Sequence, residues 1–444
     1  MVIRHHPSGI YFLVALLVVM LLMVRLAPIT PIITYAAVFI SSSMLYLFLC
    51  RESLKRAGST KHLVFSVLLL ILIRISFVGM QPLGSDDAYR YVWDGRVEAA
   101  GINPYRFAPD DTALVSLRTQ NLPSRVNHPD LKTLYFPLSE WVFYLGYEIG
   151  GEHVWGVQLI ILLSEIITII GLLALMRELG VSQWRALLYA ANPLIILQFA
   201  LDAHIDALGF PFLVFGLLFY VRKNLSLSLF LIGCSLLVKP TALVLLPVLM
   251  LDQHGLVNRA KVLAFPLAVM LIPFIPYSFG VNPFEALATF SKNWYFNGAL
   301  FSLLLPAFPD NQTNRLWCLG ILLAVLLILY ASKRTFSEKI VISVLLLLLC
   351  SPVAHPWYMG WMIVLLPLAP ITSGIVLAAT ASLPSITFVT YQLLGIWKDY
   401  PLVLILEYVP VVVLLWFDLR RSVDAGADKG KSDSAVSLAL REKD

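Results

Sequence analysis

Charge is scarce in this sequence: Asp, Glu, Lys and Arg together make up 13% of its 444 residues, against 59% hydrophobic ones. A soluble globular domain carries about 25% charged residues, so water-soluble folds, collagen-like repeats and a chain dominated by disorder are all excluded. Cysteine is scarcer still. Cys50, Cys234, Cys318 and Cys350 lie within or at the ends of apolar stretches and have no Cys-x-x-Cys spacing. That leaves no disulfide framework, zinc site or redox motif to build on. The formal net charge of +5 would suit a nucleic-acid binder, but Lys and Arg stand in short clusters between apolar stretches. That pattern is topological and has no bearing on DNA or RNA.

What the sequence has in quantity is long apolar runs, and in lipid each must cross as a helix because the hydrocarbon offers no partner to backbone N–H and C=O groups. The expected fold is therefore an all-α, polytopic transmembrane helical bundle of about 14 spans. The runs lie near residues 10–27, 31–50, 63–80, 154–177, 186–200, 205–221, 225–238, 241–252, 262–280, 312–331, 340–351, 357–370, 372–391 and 401–419. Several are shorter than about 17 residues, too short to cross untilted. The segment from Met1 to Arg25 starts basic and turns apolar but has no small-residue cleavage site, so it reads as a retained first span.

With both termini in the cytoplasm, the basic segments Arg51–Lys61, Arg177–Arg185, Arg222–Lys223, Arg259–Lys261, Lys333–Lys339 and the tail all fall inside, as the positive-inside rule requires. The organisation expected is one transmembrane domain over residues 1–420 and a disordered cytoplasmic tail over 421–444. Residues 81–153 form one long extracytoplasmic loop. Amphipathic patterns over Asp86–Ala100 and Trp141–Ile149 predict helices lying along the membrane surface there. The setting is an integral, multi-pass protein of a bacterial inner or plasma membrane.

Polar residues inside apolar sequence are costly and tend to mark function. Under this orientation the unusual ones share the outer side: Asp86, Asp87, Arg90, Asp94, Arg96 and His128 on the long loop, and Asp202, His204 and Asp206 in a turn. Lys239 sits at a hairpin tip, Trp294 and Asn297 in a further segment, and His355, Trp357 and Tyr358 in the turn Ser351-Pro-Val-Ala-His-Pro-Trp-Tyr358. Each has a bland counterpart. Adjacent acids cap helices, a lysine snorkels to the interface, and Trp and Tyr populate the interfacial aromatic belt. Arg25 and Arg74 suit structural positions, while Glu165, in mid-span, needs a partner or a proton. Convergence of five loops on one face is what a bland reading leaves unexplained.

A site at the outer leaflet suits a lipid-borne substrate. A lipid phosphate needs cations, which Lys239, Arg90, Arg96 and His355 supply. An attacking hydroxyl needs a carboxylate base, Asp86 or Asp87. A sugar ring needs flat faces and short polar groups, supplied by Trp294, Asn297, Trp357 and Tyr358, with His128, His204 and Asp206 completing the sugar or acceptor contacts. Two carboxylates are hard ligands compatible with a divalent metal but too few to require one.

The stretch Gly84-Ser-Asp-Asp-Ala-Tyr-Arg-Tyr-Val-Trp-Asp-Gly-Arg-Val-Glu-Ala-Ala-Gly-Ile-Asn-Pro-Tyr105 resembles the first outer loop of GT-C glycosyltransferases. Asn127-His-Pro-Asp-Leu131, Tyr135-Phe-Pro137, Asp202-Ala-His-Ile-Asp-Ala-Leu208, Leu237-Val-Lys-Pro-Thr-Ala242, Trp294-Tyr-Phe-Asn297 and the His-Pro-Trp-Tyr turn resemble the bacterial polyprenol-phosphate mannosyltransferase branch. The likeness covers residues 63 to 420. It implies an inverting sugar transfer from a polyprenyl-phosphate donor to a lipid or glycan acceptor. Asp86 would be the base, Asp87 its support or a contact to acceptor or metal, and Lys239 and His355 the contacts to donor phosphate. The sequence departs from the family in having Asp-Asp where many members have Asp-Glu, and in an extra pair of spans before the loop. A transporter or lipid-linked sugar flippase is the alternative; it would carry repeats and helices broken at matching positions of two halves, and no repeat is found.

The orientation is checked by cysteine labelling: a cysteine at Ser85 is expected to react with an impermeant reagent from outside and one at Ser59 only from inside, and the reverse would invert the site.

Overall fold

The structure is a computed structural model that describes residues 8–27, 31–55 and 59–424. Among them the chain is helical throughout, with no strand; isolated bridges join Val353 to Phe296 and Asn297. Helices α1 (Ser8–Leu26), α2 (Pro31–Lys55) and α3 (Thr60–Phe77) precede the long loop, which folds into α4 (Asp87–Ala99) and α5 (Pro137–Gly150). Then come α6 (Trp155–Glu178), the bent pair α7 (Gln183–Ala190) and α8 (Pro193–Leu201), α9 (Asp206–Val221), α10 (Leu225–Leu236), α11 (Pro240–Leu251) and α12 (Leu256–Tyr277). The chain continues through α13 (Glu285–Asn293), α14 (Ala299–Leu304), α15 (Asn311–Ala331), α16 (Phe336–Cys350), α17 (Gly360–Ile363), α18 (Thr372–Thr380), α19 (Ser385–Leu394) and α20 (Pro401–Asp424).

Among the described residues, seven helical segments are long and apolar enough to cross a membrane, or eight counting the bent α7–α8 pair. They are α2, α3, α6, α12, α15, α18–α19 together and α20. Four shorter apolar helices, α1 and α9 to α11, account for further runs seen in the sequence. The 53° bend between α7 and α8 has a local cause. Pro193 lacks the N–H that would continue α7, and Asn192 caps the new helix by accepting from Leu194 N at 2.8 Å. Residues 421–424 belong to α20, and the rest of the expected tail, 425–444, lies outside the described residues.

Of the two loop helices, α5 exposes Trp141, Tyr144, Leu145 and Ile149 along one side, whereas α4 differs from the surface helix expected. Helix α4 is mostly buried, because Gly95 lets it press onto α5: a Cβ there would stand 2.2 Å from the Phe143 carbonyl oxygen. Tyr91 stacks on Phe143 with ring centroids 4.4 Å apart, locking the same contact. Glu165 finds its partner within the bundle. Arg74 Nε donates to Glu165 Oε2 at 2.6 Å and Tyr189 Oη donates to Oε1 at 2.6 Å, with both charged side chains fully buried.

Removing one charge of such a pair leaves the other buried and unpaired, at a cost of about 3–5 kcal/mol. Arg74→Leu is therefore expected to lower the melting temperature of the detergent-purified protein sharply, and Arg74→Leu with Glu165→Leu to recover part of that loss; an unchanged single variant would refute the pairing.

Candidate active site

The acid pair is presented by a clamp on the backbone just before it. The last turn of α8, Ile196–Leu201, is π-helical and is followed by Asp202 and then Ala203 at φ 60°, a departure that aims Asp202 at the start of the outer loop. Asp202 Oδ1 accepts from Leu83 N at 2.8 Å and Gly84 N at 2.9 Å, while Oδ2 accepts from Tyr35 Oη of α2 at 2.7 Å. Gln198 Nε2 donates to the same tyrosine oxygen. Two residues later the chain enters α4 with Asp86 at the N-cap position, but the Asp86 carboxylate makes no capping bond. The capping explanation for this acid therefore fails.

Both acids turn instead to Asn127, whose Nδ2 donates to Asp86 Oδ1 at 3.0 Å and Asp87 Oδ1 at 2.6 Å. Asp87 Oδ2 also stands 3.5 Å from His204 Nδ1. The environments split the pair. Burial and the neighbouring Asp87 charge raise the Asp86 pKa above the ordinary range. Burial opposes ionisation of Asp87 too, but His204 and Asn127 overcome it and hold that carboxyl below its usual value.

A cavity of about 900 Å³ opens over these acids. Trp357, His355 and Phe296 form one side and, with the buried His204 beneath, make a column of rings stacked at 3.7, 4.3 and 4.8 Å between successive centroids. Lys239 Nζ donates to Asp206 Oδ1 at 2.8 Å and lies 3.3 Å from the centre of the Tyr358 ring. Trp361 Nε1 donates to the same Asp206 oxygen at 2.7 Å. On the far side His128, at φ 44°, meets Trp294 edge to face at 4.9 Å.

The fold thus gathers Asp86, Asp87, Arg90, His128, Asp206, Lys239, Trp294, His355, Trp357 and Tyr358 around one cavity, from segments far apart in sequence. Three expected residues stand elsewhere. Arg96 leaves the cavity wall to pair with Glu152 at 2.5 Å. His204 is fully buried beneath Asp87 and Trp357. Asn297, at φ 52°, is buried behind the wall, donating to Glu407 Oε2 at 3.0 Å while Tyr408 Oη donates to its carbonyl at 2.8 Å. His355 lines the cavity, but burial pushes its pKa down to about 3, so it offers a hydrogen bond and no charge at neutral pH. Lys239 is likewise pulled below the ordinary lysine range by burial, which Asp206 partly offsets.

Trp361, Arg315, Phe388 and Trp397 carry no signal used in the sequence reading, while Asp202 stands there as one of the outer-turn polar residues and Asn127 within a stretch that carries the family resemblance, neither with a role assigned. Trp361 follows Tyr358 at helical spacing, a signal that was available. Among the described residues no three His, Cys, Asp or Glu side chains converge as a metal cage.

The model of one protein family, the alpha-(1->6)-mannopyranosyltransferase N-terminal domain, matches residues 11–253. The chain belongs to that family. It is accordingly a multi-pass integral membrane protein of a glycosyltransferase family, as the resemblance in its outer loops implied. Among solved structures, the crystal structure of ArnT from Cupriavidus metallidurans bound to undecaprenyl phosphate is 18% identical. It covers 86% of this chain and 75% of its own, at a TM-score of 0.45. No curated protein matches. The family match takes in the acid pair, Asn127, Asp206 and Lys239 and ends before the aromatic half of the cavity.

Gly84 is the residue the clamp cannot do without, since a Cβ there would stand 2.5 Å from both Asp202 Oδ2 and Tyr35 Oη. Gly84→Ala is expected to lower the melting temperature and to impair sugar transfer, whereas Gly101→Ala, which meets nothing within 4 Å but sits at φ 73°, should cost stability without a comparable loss of transfer. Equal transfer in the two variants would count against the clamp.

Proposed function

We propose that the protein transfers a mannosyl or other hexosyl group from a polyprenyl-phosphate donor to a hydroxyl of a lipid or glycan acceptor, at the extracytoplasmic face, with Asp86 as general base. The observation that carries this reading is the electrostatic split of the acid pair on an aromatic-lined cavity. Two carboxyls whose surroundings drive their pKa values apart take different roles. Asp86, raised toward working pH, is suited to accept a proton, and Asp87, kept ionised beside His204, is suited to hold a positive centre or orient the acceptor.

In this mechanism the acceptor oxygen attacks the anomeric carbon while its proton passes to Asp86. The bond from the anomeric carbon to the phosphate oxygen breaks, and its electron pair leaves on that oxygen. Attack opposite the leaving group inverts the anomeric centre. Trp294 supplies a flat surface for a sugar ring, whereas both faces of Trp357 are covered by His204 and His355, and Tyr358 holds Lys239 at the cavity edge. The orientation drawn from the basic segments, with cytoplasmic termini, belongs to the same proposal.

Purified protein given radiolabelled polyprenyl-phosphate mannose and a set of acceptors tests it. Asp86→Asn is expected to reduce turnover about 10²–10⁴-fold; equal turnover would remove Asp86 as base, and no product from any lipid-linked sugar would remove the donor class. The base must be deprotonated, so turnover falls as the medium is acidified through the raised Asp86 pKa. Asn127 stabilises the charged carboxylate, and Asn127→Ala should therefore shift this acid limb to higher pH; a limb that stays or moves down contradicts the assignment.

A further inference from the structure

Among the described residues, four lysine or arginine side chains line the cavity: Arg90, Lys132, Lys239 and Arg315. Three face a carboxylate at close range. Arg90 bonds Asp94 at 2.8 Å, Lys132 bonds Glu285 at 2.8 Å, and Lys239 bonds Asp206 at 2.8 Å. Arg315 differs: among the described residues no carboxylate oxygen comes within ion-pair distance of it, and its partners are neutral. Its Nε donates to Asn311 Oδ1 at 2.7 Å, its Nη2 donates to the Trp294 carbonyl, and the guanidinium lies 5.7 Å from the centre of the Phe301 ring. These contacts fix the group in place and leave its whole charge to act on the cavity.

The position is specific as well. Arg315 is followed by Leu316 and Trp317, 69% and 50% exposed on α15, a helix long and apolar enough to cross a membrane, while the cavity wall beside it is built from Leu287, Phe290, Leu347 and Leu348. A pre-positioned guanidinium without a counter-charge, at the meeting of an apolar wall and an exposed apolar helix, matches a phosphate ester carried on an apolar chain. Lys239, by contrast, already has its charge matched by Asp206 at 2.8 Å and lies against the Tyr358 ring.

We propose that Arg315 is the residue that binds the phosphate of the lipid-linked donor, and that Lys239 is a positioning residue that holds Asp206 and Tyr358. This deepens the glycosyl-transfer reading above and rests on it for the identity of the lipid. The trapped Trp294 carbonyl ties Arg315 to the Trp294 ring facing His128, so phosphate and sugar contacts are adjacent on one segment.

The test measures binding of a short-chain polyprenyl phosphate to the full chain in nanodiscs, with inorganic phosphate as competitor, beside steady-state kinetics with polyprenyl-phosphate mannose. Arg315→Gln is expected to weaken lipid-phosphate binding about 10- to 100-fold and to raise the donor KM in step, leaving the acceptor KM unchanged. Arg315→Lys, which keeps the charge but loses the fork, should recover part of the affinity. If the Gln variant does not yield folded protein, the Lys variant decides, and wild-type affinity in it overturns the assignment. Wild-type binding retained by Arg315→Gln but lost by Lys239→Gln also overturns it, as does displacement of the lipid by inorganic phosphate at equal concentration. A wild-type chain that neither binds polyprenyl phosphate nor uses its mannosyl ester overturns the donor reading itself, a separate result from failure of Arg315 alone.

Discussion

Asp202 is the joint on which the rest of the site turns. One buried carboxylate binds the backbone of Leu83 and Gly84, the hydroxyl of Tyr35, and through its own chain the end of α8. It thereby couples the second helix, the outer loop and the bent span, three parts that are distant in sequence. Leu83 and Gly84 lead into Asp86 and Asp87 within three residues, so any movement of this carboxylate is passed directly to the acid pair. A buried carboxylate is expensive unless its lone pairs are used, and here Leu83 N, Gly84 N, Tyr35 Oη and, at 3.4 Å, Gln198 Nε2 use them. The stability of the clamp and the placement of the acids are one requirement.

The same cost governs the other charges. In a bundle with few charged residues, an unpaired ion in a low-dielectric surround is unaffordable, and the fold answers by pairing Arg74 with Glu165, Arg90 with Asp94 and Lys239 with Asp206. Against that background two groups stand out. Asp86 receives one amide donor and sits beside a like charge. Arg315 has neutral partners alone. An acid short of stabilisation and a cation short of a counter-charge, on one cavity, are complementary to a substrate that brings both a proton to remove and a phosphate to hold.

How much of this was legible beforehand follows from distance along the chain. The apolar runs predicted the helices because the bilayer imposes its demand locally, within each run. Asp86 and Asp87 were visible because they are adjacent, and Lys239 and His355 because each interrupts apolar sequence. Roles that depend on a partner were not visible. Arg96 and Glu152 are separated by more than fifty residues, and so are Asn297 and Glu407. Nothing in either neighbourhood announces the other, so Arg96 looked like a phosphate ligand and Asn297 like a sugar ligand. Glu165 in mid-span demands a partner and Arg74 suits a structural position, and the two are halves of one ion pair.

The boundary of the family match divides the cavity along a chemical line. Residues 11–253 contribute the acids, Asn127, His204, Asp206 and Lys239, the groups that set charge and proton affinity. The aromatic wall of Trp294, Phe296, His355, Trp357, Phe388 and Trp397 comes from the chain beyond. The two halves meet where His204, from the first, stacks on Trp357, from the second, at 3.7 Å. That one contact joins Asp87, which His204 faces, to the aromatic wall of the cavity. On the proposed reading, the chemistry of transfer is built in the matched half and recognition of the ring in the other. Substitutions along the aromatic wall can then alter which sugar is held while the acid pair keeps its electrostatics, provided Trp357 continues to seat His204.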